Sequence, residues 1–536
     1  MPIGELSPVG RARSSSLDQQ PFHYATLPGP AEPESLSAMA SKDAEYDAGK
    51  LGSQRNDIPT KKLLMTLLAI SMGTVIEWYD YSIYSQLAKV LGKVFFPTGN
   101  AAVQAVSFWG LFAVGFLSRP VGAVMFGHLG DTRGRGTCLL WTVLLMGIPT
   151  ILIGCLPGYA TIGIAAPILL ALLRLVQGLA MGGEFGAAMV YLYEIADPRY
   201  KALTGSLGYI SLGAGVVLGI LVVAGLISAV PESAMLVWGW RVPFLMSIVT
   251  LAVAAVLRYN MPESSEFTNS REELSEEAIR RARNTAAAAA AARPNEAGSS
   301  AAGSLDGHVS VVDLEGQSAA AAADEKKAHY VPVYELFRGY WSGLLLHSLY
   351  GAWISASFLI GYSWLPSFFA QHVGIPTRLT LWMVLSCMIL FTMMVPIAGI
   401  LSDKGLPRLT VTIAICVASA ASAIPMFIGF QTKSVAICWL IQAILLAMSG
   451  YAMGMLPAVV SAIYPAGVRI SGCNLGVNIS STIGGVCPLI ITAVQAATGS
   501  IYYGPAIVLA ATAIITIVAS ALLIKYYPAA NKCHDE

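Results

Sequence analysis

The sequence predicts an all-α integral membrane protein, with twelve transmembrane helices arranged as two six-helix halves. Three observations point there. Of 536 residues, 55% are hydrophobic and 12% charged, with a mean hydropathy of +0.65; soluble domains carry about twice that charge. Apolar runs near the roughly 20 residues needed to cross a bilayer follow one another from Lys61 almost to the end. A charged, glycine-containing turn recurs at the same place in each half.

In order, residues 1–60 are rich in Ser, Pro, Ala and charge and read as a disordered tail without a cleavable hydrophobic region. Residues 61–258 hold six spans: 63–88, 101–126, 137–156, 161–190, 203–229 and 241–258. Residues 259–338 are a central loop, with a charged surface helix early on and then alanine runs and Gly/Ser segments. Residues 339–527 hold the other six: 340–370, 379–401, 409–430, 434–460, 467–495 and 501–526. A short tail, 528–536, closes the chain. Basic residues in short loops set the orientation. Lys61, Lys62, Arg133, Arg135, Arg199, Lys201, Lys404, Arg408, Arg469 and Lys525 fall on one side, while the other holds mainly Lys89, Lys93, Arg378 and Lys433. Both termini and the central loop are therefore expected in the cytoplasm, with the plasma membrane the simplest location.

Between the second and third spans a ten-residue loop is expected, packing Gly127, Gly130, Gly134 and Gly136 with Asp131, Arg133 and Arg135. Such glycines let two helix ends approach closely, and the charges make a latch at the membrane surface. Gly399, Asp403, Gly405 and Arg408 form a weaker copy after the eighth span. Arg119, before Pro120, is assigned to the latch rather than to binding.

Ionisable residues inside spans are costly, so each is a functional candidate. Glu77 and Asp80 lie three apart in the first helix, suited to holding and releasing a proton. Trp78, Tyr79 and Tyr81 beside them offer aromatic faces to a quaternary ammonium group. In the fourth helix Arg174, Gln177, Met181 and Glu184 lie along one stripe. Arg174 either holds a solute carboxylate through its guanidinium fork or pairs permanently with a first-helix acid. Glu184 is a second proton site or a hydrogen-bonded packing residue. His347 in the seventh helix is a proton shuttle or a structural residue. Tyr350 and Trp353 are candidates for the solute site from the second half. Asn478-Ile-Ser480 fits a glycosylation pattern but falls inside a span.

A net charge of +1 argues against a nucleic-acid partner. The eight cysteines show no C-x-x-C or zinc spacing, and seven lie in apolar runs. No nucleophile–base pair or phosphate loop points to an enzyme.

Gly127, Leu129, Gly130, Asp131, Gly134 and Arg135 match the loop G-x-L-x-D-R-x-G-R-[KR] and so resemble the major facilitator superfamily. Within it, Gly73-Thr-Val-Ile-Glu77-Trp-Tyr-Asp80-Tyr81 resembles the first-helix signature of the metabolite–proton symporters, G-N-x-x-E-W-Y-D-F. Arg174-Leu-Val-Gln177-Gly-Leu-Ala-Met-Gly182-Gly183-Glu184 resembles their R-x-x-Q-G-x-x-x-G-G-E. Trp238-Gly-Trp-Arg241-Val-Pro-Phe244, Met261-Pro-Glu263-Ser-Ser-Glu266-Phe267, Trp364-Leu-Pro366 and Val468-Arg469-Ile-Ser-Gly472 match at that family's usual places. Thr74, Ser85 and Ala187 depart from its pattern.

The resemblance implies a major facilitator fold and proton symport by alternating access. Solutes of that family include proline and betaine, 2-oxoglutarate, citrate and shikimate. It places Glu77, Asp80, Arg174 and Glu184 on the family's membrane charges, and Asp131 and Arg135 on its latch. No cofactor beyond the coupling proton, and a monomer in the bilayer, are expected. One clear arginine with flanking acids and aromatics favours a zwitterion or small carboxylate over a dicarboxylate or tricarboxylate. A second class is a non-transporting nutrient receptor on the same fold.

Overall fold

A computed structural model describes residues 60–133, 135–194, 196–259 and 332–532. The helices belong to one compact unit, Leu64–Glu536, apart from the first four residues of the first helix. The expected N-terminal tail, the surface helix of the central loop and residues 533–536 lie outside the described residues.

The first half holds α1 (Thr60–Gln86), α2 (Ala101–Leu117, resuming as Arg119–Arg133), α3 (Arg135–Cys155), α4 (Ala165–Gly182, resuming as Phe185–Glu194), α5 (Lys201–Ala229) and α6 (Arg241–Tyr259). The second holds α7 (Trp341–Leu359, running on to Val373), α8 (Thr377–Asp403), α9 (Arg408–Gly429), α10 (Val435–Ser461), α11 (Ala466–Thr498) and α12 (Tyr503–Tyr526). Among the described residues nine are long and apolar enough to cross a bilayer by length and composition alone. The other three of the twelve are α1, α3 and α6; α1 carries two acids, and α6 is bent by 46° from the short helix preceding it. Within halves, α3 packs on α4 and α6, α8 on α10, and α9 on α12; α5 on α8 and α2 on α11 join the halves.

The expected ten-residue loop is absent. Helix continues to Arg133 and resumes at Arg135. Glycine costs a helix about 1 kcal/mol relative to alanine, but a helical backbone satisfies its own hydrogen bonds at the membrane boundary.

Glycines matter where α4 crosses α2. A Cβ on Gly178 would strike the Gly115 carbonyl and the Ser118 hydroxyl, and one on Gly182 the Arg119 carbonyl. Backbone contact at this crossing leaves no room for a side chain. The Trp-Gly-Trp-Arg motif ends α3: Arg241 Nη1 donates to the Gly154 and Leu156 carbonyls at 2.9 and 2.6 Å, satisfying acceptors orphaned at the helix end.

The expected span 340–370 is not uniform. Its end winds as π-helix over Ile360–Trp364 and Phe369–Val373, on either side of Pro366. Proline has no N–H to give, so carbonyls four and five residues earlier lose their helical donor. Those carbonyls are Tyr362 and Gly361, and each finds a side-chain amide instead. Gln86 of α1 donates to Tyr362 at 2.9 Å and Gln442 of α10 to Gly361 at 2.8 Å. Pro366 thereby creates a hydrogen bond between the halves.

Candidate functional site

Between the halves lies a chamber, lined from one side by Trp78, Phe116, Arg119, Phe185, Tyr209 and Leu212. Ile354, Ser355, Phe358 and Leu359 of α7, Met453 and Leu456 of α10, and Val477, Asn478, Ser480 and Ser481 of α11 line the other side. Its volume is about 30 Å³, room for roughly two waters. At the end where α1 finishes, Gln86 reaches the Tyr362 carbonyl. Across the middle, Thr482 donates to the Phe116 carbonyl at 2.7 Å and Asn478 Nδ2 to the Gly182 carbonyl at 3.0 Å. At the other end, the Asp403 carboxylate accepts from the backbone N–H groups of Ala202 and Leu203, both at 2.9 Å. One acid of the second half thus caps the first turn of α5 in the first half, satisfying donors no helix can pair internally.

Arg119 is the arginine of this chamber. Expected at the surface latch, it is buried at 2% exposure. Its Nη2 lies 3.6 Å from Glu77 Oε1 and 3.2 Å from the Met181 sulfur. The guanidinium carbon stands 4.7 Å from the Phe116 ring centroid, 5.4 Å from Tyr81 and 5.5 Å from Trp78, within cation–π range. Trp78 lies against Phe358 of the other half, edge to face at 5.6 Å.

Arg174 lies off the chamber lining. Its guanidinium covers the Tyr84 ring at 3.2 Å, with Tyr81 at 5.1 Å, and Nη1 donates to Gln177 Oε1 at 3.3 Å. Gln177 Nε2 donates to Thr150 Oγ1 at 2.6 Å, and Thr150 donates to Asp80 Oδ2 at 2.7 Å. Ser247 of α6 donates to Asp80 Oδ1 at 2.8 Å. Arg174, Gln177, Thr150, Asp80 and Ser247 form a chain of contacts inside the first half. Arg174 is the arginine of that network, connected to the first-helix acid Asp80 through Gln177 and Thr150. Tyr81 stands between the two arginines and also lies off the chamber lining.

Two aromatic residues expected at the solute site lie elsewhere. Tyr350 meets Thr412 of α9 at 3.3 Å, and Trp353 Nε1 donates to Ser419 at 2.9 Å; neither lines the chamber. Ile354 and Phe358, four apart on the same helix, present the chamber-lining face. His347 is buried with Nδ1 3.1 Å from Tyr464 Oη, off the chamber.

Of the latch residues, Gly127 continues the helix of α2, and Asp403 makes the cap described above. Arg408 is buried: Nε donates to Ser402 at 2.7 Å and Nη1 to the Lys532 carbonyl at 2.8 Å. Asn531 Oδ1 accepts from the N–H groups of Leu409 and Thr410. The side chains of Asp131, Arg133 and Arg135 lie outside the described residues. In the short helix before α6, Glu232 takes a 2.9 Å hydrogen bond from Lys93; that bond and the charges of Lys89 and Lys93 hold its carboxyl below the usual glutamate range.

The residues that sequence reasoning missed are Phe358, Asn478, Ser480 and Ser481. The asparagine carried a signal, because an amide inside an apolar run needs a partner.

A family model described as Major Facilitator Superfamily matches residues 65–470. An alpha-ketoglutarate permease of Escherichia coli is 39% identical over 207 residues, 39% of this chain and about half (48%) of that protein. A proline/betaine transporter of Salmonella typhimurium is 30% identical over 431 residues, 80% of this chain and 77% of that one. Among solved structures, a proton:xylose symporter bound to a bromodeoxyglucose superposes with a TM-score of 0.65 at 14% identity, over 88% of this chain and 97% of that chain.

Proposed function

The chain belongs to the Major Facilitator Superfamily and is a multi-pass membrane transporter rather than an enzyme; on that premise we propose that it is a proton-coupled symporter of a small solute bearing one carboxylate. A zwitterion such as proline or a betaine fits best. The observation that carries this is Arg119: a buried guanidinium lines the chamber and stands 3.6 Å from Glu77. A proton on Glu77 removes the negative charge beside Arg119 and leaves a buried cation uncompensated, a costly state. A solute carboxylate entering the chamber restores the balance. Proton and solute carboxylate therefore stabilise one another's binding at Arg119, and only with both bound, or neither, does the guanidinium face a single counter-charge. Trp78, Phe116 and Phe358 supply the apolar and aromatic faces for the cationic or hydrocarbon end of the solute.

Alternating access follows from the contacts at the two ends. Breaking Gln86–Tyr362 opens one, and breaking the Asp403 cap opens the other. The termini face the cytoplasm, by the distribution of basic loop residues, and the plasma membrane is the location.

A dicarboxylate is the second reading, favoured by the 39% match to the permease, with Asn478, Ser480 and Ser481 receiving the other carboxylate. Purified protein in liposomes carrying an internal pH dye tests both. Lumen acidification on adding proline or betaine supports the first, and acidification with 2-oxoglutarate alone supports the second. Tight binding without flux identifies a receptor and refutes symport.

A further inference from the structure

Beside the solute chamber the first half holds a second, smaller cavity of about 10 Å³, the size that takes one water. Its walls come from Gly73, Ile76 and Glu77 of α1, Thr142, Val143 and Met146 of α3, Ala180 and Met181 of α4, and Glu184 in the break within α4. Two buried carboxylates from different segments therefore border one water-sized space, which meets the solute chamber where Glu77 and Met181 contact Arg119. Thr142 donates to Glu184 Oε2 at 3.2 Å, orienting that carboxylate. Arg119, at 3.6 Å, is a charged neighbour of Glu77 from the chamber. Asp80, one turn along α1, borders neither cavity.

We propose that Glu184 is the proton-relay residue through which Glu77 discharges, so that proton and solute leave by different routes. The inference rests on the symport reading above. A water in the small cavity accepts the proton as the O–H bond of Glu77 breaks, and passes a proton to the Glu184 carboxylate. Glu77 is left ionised and returns to its pairing with Arg119, which releases the solute carboxylate. Glu184 then gives its proton to solvent at the end of the bundle where α1 and α3 begin. The chamber need not be wet for the proton to leave. A water-filled chamber is therefore not a condition of coupling.

Glu184→Gln in pH-dye liposomes tests this, with two rates measured on each sample. Net uptake with lumen acidification requires proton release in every cycle, whereas solute exchange at equal pH on both sides does not. The expected result is at least a tenfold slower net uptake with exchange within about twofold of wild type, and partial recovery in Glu184→Asp. Net uptake at the wild-type rate overturns the relay while leaving symport intact. Absence of acidification in the wild type itself removes symport and the relay together. If Glu184→Gln loses exchange too, Thr142→Val decides. Slowed net uptake with intact exchange supports the relay, and equal change in both rates refutes it.

Discussion

Replacing Arg119 by Met tests whether Arg119, assigned from sequence to the latch, rather than Arg174 holds the solute carboxylate. At 3.6 Å from Glu77 Oε1, a unit charge pair at an effective dielectric constant near 20 is worth about 4–5 kcal/mol. A solute carboxylate at similar range to the same guanidinium gains a comparable attraction. Truncating one partner of a buried charge pair costs about 2–5 kcal/mol in binding, which is roughly 30- to 5,000-fold in Kd. Arg119→Lys keeps the charge but loses the planar fork, and should fall between. The assay is solute titration of detergent-purified protein by intrinsic fluorescence, with Trp78 in the chamber wall as reporter. Arg174→Met should bind solute within about threefold of wild type, since Arg174 meets Tyr84 and Gln177 rather than the chamber. The opposite pattern, with Arg119→Met binding normally and Arg174→Met not binding, would refute this assignment.

Three further substitutions test the frame around the site. Asp403→Ala removes the acceptor of two backbone N–H groups on α5, costing about 0.5–2 kcal/mol; a cysteine at buried Ser206 in an otherwise cysteine-free chain should label roughly 2- to 30-fold faster, and an unchanged rate would show the cap does not hold that end shut. Gly178→Leu drives a side chain into the Gly115 carbonyl, so the purified protein should aggregate on size exclusion, whereas Gly225→Leu, with nothing within 4 Å of its Cβ, should elute as wild type. Trp353→Phe breaks the bond to Ser419 at about 1–2 kcal/mol: a lower melting temperature is expected with unaltered solute affinity, and a tenfold weaker affinity would return Trp353 to the binding site.

The helices were legible in the sequence because a bilayer allows few other ways to bury a backbone, and the embedded charges were legible because apolar runs make them conspicuous. Side-chain direction was not. Glu77 and Asp80 are three residues apart, yet Asp80 turns to Thr150 and Ser247 inside the half while Glu77 meets Arg119 at the chamber. Telling them apart needs the rotation of α1, set by backbone contacts such as that of Gly215 with Val75. Arg119 was misplaced for a similar reason: helix extends 14 residues beyond it to Arg133, putting it deep rather than at the surface. The short loops gave no hint that Pro366 would release two carbonyls and that glutamines from two other helices would take them.

A chamber of only about 30 Å³ also divides cargo from inhibitor. On the proposed symport, a molecule must satisfy Arg119 to bind, but it must also let the walls come together around it to be carried. Analogues that keep the carboxylate and grow at the other end should pass from good cargo to slow cargo to blockers that hold the protein open on the side they entered. The chain length at which flux stops while binding persists measures how far Phe358 and Trp78 can part before closure fails. A competitive blocker for this protein therefore calls for bulk opposite the carboxylate, with no gain in affinity required.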